Sequence, residues 1–280
     1  MDRLQQGQSG TLNAYWERNG VAWDPGTVQV SVSSQATGTV IASGLATGTG
    51  NSGRTFVLAP SNTAGLDYLT ITWTSLSDSS VLTTYAEIVG DFHFTVAFAR
   101  TRTPLGDTAT YSTQQVLDYR TLAEMAIEDI CGVSFVPRYR YDIARIVSWG
   151  MLELPRRRIR SVLNIYTQAD SPSPVAIPSL AGLRIENGGL IFMPAMFNWW
   201  STPIYVSYVS GYDFVPPRVA RASLELCRRW LVESPWDERT TGFRTRDGGQ
   251  MTILTANHTD AFDIPEVVAV ADAYGTPAVM

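Results

Sequence analysis

The sequence predicts an N-terminal all-β immunoglobulin-like sandwich over residues 1–91, followed by an α+β domain over residues 92–280. Three observations predict it. Apolar and polar side chains alternate with a period of two through roughly the first ninety residues, broken by turn clusters. The texture changes after Asp91-Phe92-His93-Phe94. Beyond that point two stretches carry apolar residues at helical spacing behind N-terminal start signals.

The strands come first in the chain. Val28, Val30 and Val32 alternate with Gln29, Ser31 and Ser33, and Leu69, Ile71 and Trp73 alternate with Thr70, Thr72 and Thr74. Leu82, Thr84, Ala86 and Ile88 oppose Thr83, Tyr85 and Glu87. Turns fall at Asn19-Gly20, Asp24-Pro25-Gly26, Ser43-Gly44 and Ser61-Asn62, as antiparallel strands with one wet face require. About seven such runs match the size of a small sandwich. No cysteine pair staples it, so its core is expected to rest on Trp16, Trp23, Phe56, Leu58 and Trp73.

Residues 101–111, with Pro104 and Gly106, read as a loop, and Ser112 with Gln115 forms a capping box opening a helix that stops at Gly132. Its apolar positions are Val116, Tyr119, Leu122/Ala123, Ala126/Ile127 and Ile130. Glu124, Glu128 and Asp129 lie toward its C-terminal half, where the helix dipole disfavours them unless a cation is near. Strands are expected over Val133–Tyr141, Arg157–Tyr166, Gly182–Glu186, Leu190–Met193 and Ile204–Val209. A second helix starts at Pro216-Pro217 and runs to about Val232, burying Val219, Ala222/Ser223, Leu226/Cys227 and Trp230/Leu231. Its outer face pairs Arg221 with Glu225, and Glu225 with Arg228 and Arg229. Asp247-Gly248-Gly249 is a turn before a short strand, Met251–Leu254. Ile264–Gly275 is mildly helical and suited to docking on another chain.

Composition excludes several chemistries. All 21 basic residues are arginine, so no Schiff-base, P-loop or kinase-type lysine exists. A coding bias and arginine's planar fork at interfaces both account for this. Hydrophobic residues at 45% and charged residues at 17% argue against a disordered chain. The net charge of −5 is zoned: residues 1–99 hold three arginines and seven acids, 100–160 ten and seven, 161–217 one and three, 218–247 seven and five, and 248–280 none and four. Such zoning suits contacts between copies or partners better than one catalytic cleft. Cys131 and Cys227, both apolar-flanked, read as reduced structural thiols. The first residues lack an apolar targeting core and no apolar run is long enough to span a bilayer, so no membrane partner is expected.

No motif points to catalysis, a cofactor or a metal. Gly48-Thr49-Gly50-Asn51-Ser52-Gly53 has dinucleotide-fingerprint spacing, but strand-like Thr55–Leu58 follows where phosphate binding needs a helix, so it reads as a hairpin loop. The two histidines, His93 and His258, lack zinc-ligand spacing; His93 reads as a domain-boundary residue. A serine–histidine pair is not excluded, though no G-x-S-x-G occurs. Asp237, Glu238, Asp260 and Asp263 are indistinguishable from solvated loop acids. In the run Leu154–Arg160, a strand would place Arg156, Arg158 and Arg160 on one face. Three readings stand: an interchain salt-bridge rim, contact with passing DNA, or a solvated edge strand protected by charge. The Asn198-Trp199-Trp200 cluster suits burial at an interface better than sugar stacking.

Three segments, in order, carry a resemblance: Glu128–Tyr139 at the end of the first helix, Gly211–Pro217 opening the helix that ends in Arg229-Trp230-Leu231, and Asp247-Gly248-Gly249 leading through Thr252–Leu254 to Ile264–Val267. Over about Phe92–Gly275 this pattern resembles the head-to-tail adaptor (head completion, connector) family of long-tailed double-stranded DNA bacteriophages. The preceding sandwich is similar to the extra N-terminal domain of adaptors from actinobacterium-infecting phages, whose GC-rich genomes fit the absent lysine. The resemblance implies an α+β connector domain with helices around a ring channel, usually of twelve copies, docked beneath the portal protein and leading to the next connector or stopper protein. It implies a structural virion protein at the neck, assembled in the host cytoplasm, with genomic DNA passing non-specifically and no cofactor. Phe262–Tyr274 is the portal-docking candidate, through Phe262, Ile264, Pro265, Val267, Val268, Val270 and Tyr274. Ring contacts are expected from Arg221, Arg228 and Arg229 against Glu124 and Glu128 of a neighbour, with Arg156, Arg158 and Arg160 as further rim candidates. The sandwich and the aromatic insert depart from the simplest family members, so the portal contact is also open elsewhere. The alternative reading is a neck or tail binding module whose sandwich recognises host-surface carbohydrate.

Overall fold

The computed structural model describes residues 2–49, 52–148, 151–167, 175–176, 179–186, 189–192, 203–232, 242–244, 250–252 and 264–275. Trp199, Trp200, Asp237, Glu238, the Asp247-Gly248-Gly249 turn, His258, Asp260, Phe262 and Asp263 lie outside them. The fold is mostly β-sheet with four α-helices among the described residues. Contacts group the chain into two compact units, one of residues 1–92 with 136–214 and one of 93–135 with 215–280, instead of along a linear cut at 91/92.

The strand unit begins with β1 (Asp2–Gln5), β2 (Gly10–Tyr15), the short β3 (Glu17–Arg18) and β4 (Val21–Ala22), β5 (Val28–Ser34), β6 (Val40–Leu45), β7 (Thr47–Thr49), β8 (Gly53–Leu58), β9 (Asp67–Ser75) and β10 (Val81–Val89). One sheet runs β1-β10-β9-β5-β6, antiparallel except that β1 lies parallel to β10, and a second runs β2-β8-β7. The two share a core because the period-two pattern sends every second residue inward. Val28, Val30, Val32, Leu69, Ile71 and Trp73 of one sheet pack with Leu12, Ala14 and Leu58 of the other. Trp73 is fully buried and its indole N–H donates to Thr84 Oγ1 at 2.9 Å. Trp23 and Phe56, expected at the core's centre, are only partly buried at its margin. Gly48 and Gly53 sit on the β7–β8 hairpin, and a strand follows them.

The same sheet continues through β10. Val89 pairs with Arg138 of β11 (Arg138–Ser148), which begins five residues later than the pattern suggested: the Phe135 N–H is taken by the Glu128 carboxylate, and Pro137 has no N–H to give a ladder. Next come β12 (Met151–Glu153), β13 (Ile159–Thr167), β14 (Val175–Ala176), β15 (Arg184–Glu186), β16 (Leu190–Phe192) and β17 (Ile204–Ser210). They pair as β11-β17-β13-β14, with β12-β16-β15 branching from β11. Their core comprises Ala144, Leu152, Leu154, Ile165, Ile191, Ile204, Val206 and Tyr208. Within it the Tyr208 hydroxyl donates to Asp142 at 2.6 Å.

The helical unit holds α1 (Val96–Arg100), α2 (Thr113–Cys131), α3 (Pro217–Val232) and α4 (Pro265–Tyr274), with a β18 (Gly242–Arg244)–β19 (Gln250–Thr252) hairpin. The capping box at Ser112 and Gln115 opens α2, and Gly132 closes it at φ 62°, the left-handed conformation that glycine adopts without Cβ strain. Helices α2, α3 and α4 pack on one another. Among the described residues no helix is long and apolar enough to cross a membrane.

Gly211 ends β17 at φ 120°, donates its N–H to the Arg158 carbonyl at 2.9 Å, and approaches the Val136 carbonyl so closely that a Cβ would collide with it. Gly211→Ala is therefore expected to destabilise the chain by about 2 kcal/mol or more. The urea midpoint should fall with an unchanged denaturant slope.

Candidate functional site

Two buried charged networks organise the units. In the strand unit, Glu87 has the opposite parity to the core residues Ala86 and Ile88, so its side chain leaves the sandwich on the outward face of β10. It is nonetheless 1% exposed. Arg3, its direct partner across the parallel β1–β10 ladder, places Nε 3.4 Å from Oε2. Arg138 Nη1 lies 3.4 Å from the same oxygen, and Arg140 Nη1 lies 3.9 Å from Oε1. One carboxylate thus holds three guanidiniums where β10 passes from β1 to β11.

In the helical unit the predicted apolar stripe of α2 is rotated. Arg120, Glu124 and Glu128 face inward with Val116, Ala123, Ile127 and Cys131, whereas Leu122 is 51% exposed. The physical reason is hydrogen bonding. Glu124 accepts the His93 backbone N–H at 2.7 Å and Glu128 accepts that of Phe135 at 3.2 Å, which ties down both ends of the 93–135 stretch. Buried polar groups are tolerated when bonded in this way. These two acids, expected to meet a neighbour's arginines, are interior instead.

His93, expected at a boundary, is 2% exposed. Its Nδ1 lies 2.6 Å from Ser223 Oγ, its Nε2 lies 3.5 Å from Glu128, and its ring meets Phe135 edge-on. The composition is that of a Ser-His-acid triad, but the ring is reversed: in the hydrolytic arrangement Nε2 serves the serine and Nδ1 the acid. Ser223 is fully buried, so no substrate reaches its hydroxyl. Nothing in the sequence marks this network, because His93 and Ser223 lie 130 positions apart and its members share no motif.

The arginine candidates are dispersed. Strand β13 starts at Ile159, and Arg158 has φ 56°, so Arg156, Arg158 and Arg160 do not line one strand face. Arg158 instead lies 4.0 Å from the centre of the Tyr212 ring, and Arg160 pairs with Asp213. Arg228 meets Glu225 at 2.8 Å, but Arg221 turns away from Glu225 to Glu266 of α4 at 3.3 Å. Arg229 is half-buried on the same helix.

Helix α4 docks within its own unit. Ile264, Val267 and Val270 are buried, the Cys131 thiol reaches the Val270 carbonyl at 4.0 Å, and Tyr274 packs edge-on against Phe135 at 5.2 Å. Pro265 and Val268 face outward. For carbohydrate, the sandwich's tryptophans offer no open ring face: Trp16 is 6% exposed, and the Arg18 guanidinium covers Trp23 at 4.1 Å while also pairing with Asp78. Hydrogen bonds from Ser80, and then Ser75 and Arg18, hold the pKa of the Asp78 carboxyl down at about 2. Among the described residues no cluster of three or more His, Cys, Asp and Glu side chains is arranged to hold a metal.

No protein-family model and no curated protein matches the sequence. Among solved structures the chain is similar to one described as "Neck of empty GTA particle computed with C6 symmetry", at 17% identity and TM-score 0.45, over 67% of this chain and 92% of that one. A likeness of that size fixes neither topology nor role.

Glu87→Gln keeps the side chain's shape but leaves three guanidiniums facing one another, so it is expected to cost about 3–5 kcal/mol. Glu225→Gln, which loses a surface pair, should stay within about 1 kcal/mol of the parent in the same urea titration. Cys131 and Cys227 are free thiols, and burial raises the first to about 11 and the second to about 12 from the ordinary 9.0. The folded chain therefore holds protons that the unfolded chain releases. The stability these thiols contribute is complete below pH 9.0 and is lost as pH rises through about 11 and about 12. Neither thiol should react with a thiol reagent near pH 8 until the chain unfolds.

Proposed function

We propose that the chain is a structural virion protein, an adaptor that forms a ring joining the capsid portal to the next neck component and surrounding part of the DNA channel. One observation carries this reading: of the segments that bear the adaptor resemblance, the first two touch in space at Val136 and Gly211, and the helix that the third opens at Pro265 packs back on the first. In the strand unit the Val136 carbonyl abuts Gly211, and Arg138 pairs with Ser210. In the helical unit Cys131 and Phe135 meet Val270 and Tyr274. A pattern of matching pieces scattered by chance would not be expected to assemble around shared contacts.

On this reading the ring has twelve copies, each net −5, so that the duplex is not gripped as it passes. On the same reading the sandwich is immunoglobulin-like, which the strand orders support: β6-β5-β9-β10 and β2-β8-β7 can be matched to C′-C-F-G and B-E-D. The portal contact uses the outward side of α4, Pro265 and Val268, since Ile264, Val267, Val270 and Tyr274 pack within the unit.

Mass measurement of the purified chain with and without portal tests the reading. A ring, or a portal-bound ring, is expected; a persistent monomer that ignores portal yet is retained on a glycan array overturns it in favour of carbohydrate recognition. Val268→Glu should weaken portal binding by about tenfold or more while the thermal melt is unchanged. The neighbouring Val267→Glu, a buried position, should lower the melting temperature instead.

A further inference from the structure

Helix α2 buries charged side chains beside Val116, Ala123, Ile127 and Cys131. It buries Arg120, Glu124 and Glu128, and exposes Leu122 at 51% and Met125 at 36%. These two apolar residues lie on one outward stripe with Asp118 and Asp129, spaced four, three and four residues apart, which is the interval of a helix-packing seam. Helix α3 carries the complementary stripe. Its stripe of Arg218 and Arg221, exposed, and Glu225 and Arg228, half-buried, is spaced three, four and three apart, and its inward face is Val219, Ala222, Ser223, Leu224, Leu226 and Cys227.

The two seams match in length and charge. At 1.5 Å rise per residue they are about 16 Å and about 15 Å long. The first bears two acids, and the second three arginines against one glutamate. Arginine stems are aliphatic, so they can cover Leu122 and Met125 while their guanidiniums reach the flanking aspartates. The pairs these arginines make within the chain, Arg221 with Glu266 and Arg228 with Glu225, are partly exposed and weakly held.

We propose that the α3 arginine seam of one copy docks on the α2 seam of a second copy of this chain, Asp118, Leu122, Met125 and Asp129. This rests on the ring reading and deepens it by naming the contact. The two surfaces belong to different helices, so the contact is head-to-tail and propagates until a ring closes. A seam this short buries less than a standard interface, so an isolated pair is weak and closure, which holds each copy on both sides, stabilises the assembly.

Charge reversal tests it with the full chain. Asp118→Arg with Asp129→Arg, and separately Arg218→Glu with Arg221→Glu, should each raise the concentration for half-assembly by about tenfold or more in sedimentation velocity. An equimolar mixture should recover assembly, because each reversed seam then meets its complement. Leu122→Ser with Met125→Ser, at exposed positions, should weaken assembly while leaving the melting temperature unchanged, and covers the case in which a reversed variant does not fold. Wild-type assembly that survives every variant overturns the seam and leaves the ring reading standing. Folded variants whose mixture fails to recover overturn the pairing of these two seams. A wild type that stays monomeric with and without portal overturns the ring reading and the seam with it.

Discussion

A carboxylate with three guanidiniums around it determines how the strand unit can be built. Glu87 projects from the side of β10 that a sandwich normally shows to water, and it is hidden because β11 begins there with Arg138 and Arg140 while β1 brings Arg3 alongside. Removing an ionised carboxylate from water costs several kcal/mol, and its cationic neighbours offset that cost only if all keep their places. The sheet crosses from the N-terminal strands to the later ones through the pairing of Val89 with Arg138 and the adjacent hydrogen bond from the Gly90 N–H to the Pro137 carbonyl at 2.9 Å. That is a narrow joint, and the charged cluster beside it supplies the constraint that the ladder lacks.

The helical unit uses the same device for another purpose. Glu124 and Glu128 bind backbone N–H groups at the two ends of the 93–135 stretch, and His93 joins Ser223 to Glu128 across the interior. With charge drawn inward, α2 carries Leu122 and Met125 outward. The distribution of surface between core and partner is thereby decided by which residues cap the entering and leaving chain.

Much of this was legible in the sequence, and the exceptions share a cause. The strand alternations at Val28–Val32 and Leu69–Trp73, the capping box at Ser112, the stop at Gly132 and the helix from Pro217 all depend on neighbours within a few residues, and all occur where expected. The buried stripe of α2 departs from the spacing of its apolar residues because the partners of Glu124 and Glu128 are the backbone N–H groups of His93 and Phe135, outside the helix and invisible to its periodicity. The Leu154–Arg160 run looked like a strand face because positive φ at Arg158 leaves no compositional trace in a non-glycine residue. Glu87 looked like an ordinary wet-face residue of an alternating strand, and only the late arrival of β11 makes it otherwise.

Each unit is assembled from two stretches separated in the chain, and this has a consequence during synthesis. A ribosome releases all the sandwich strands once Val89 has emerged, yet at that moment Glu87 has Arg3 beside it and neither Arg138 nor Arg140. The helical unit waits longer still, since its α2 is made early and α3 and α4 near the end. While residues 88–140 are being made the nascent chain carries a half-caged carboxylate, and from the completion of α2 until α3 is made it carries a helix lacking its companions. Its folding is therefore completed late, after the chain can first bring its distant stretches together.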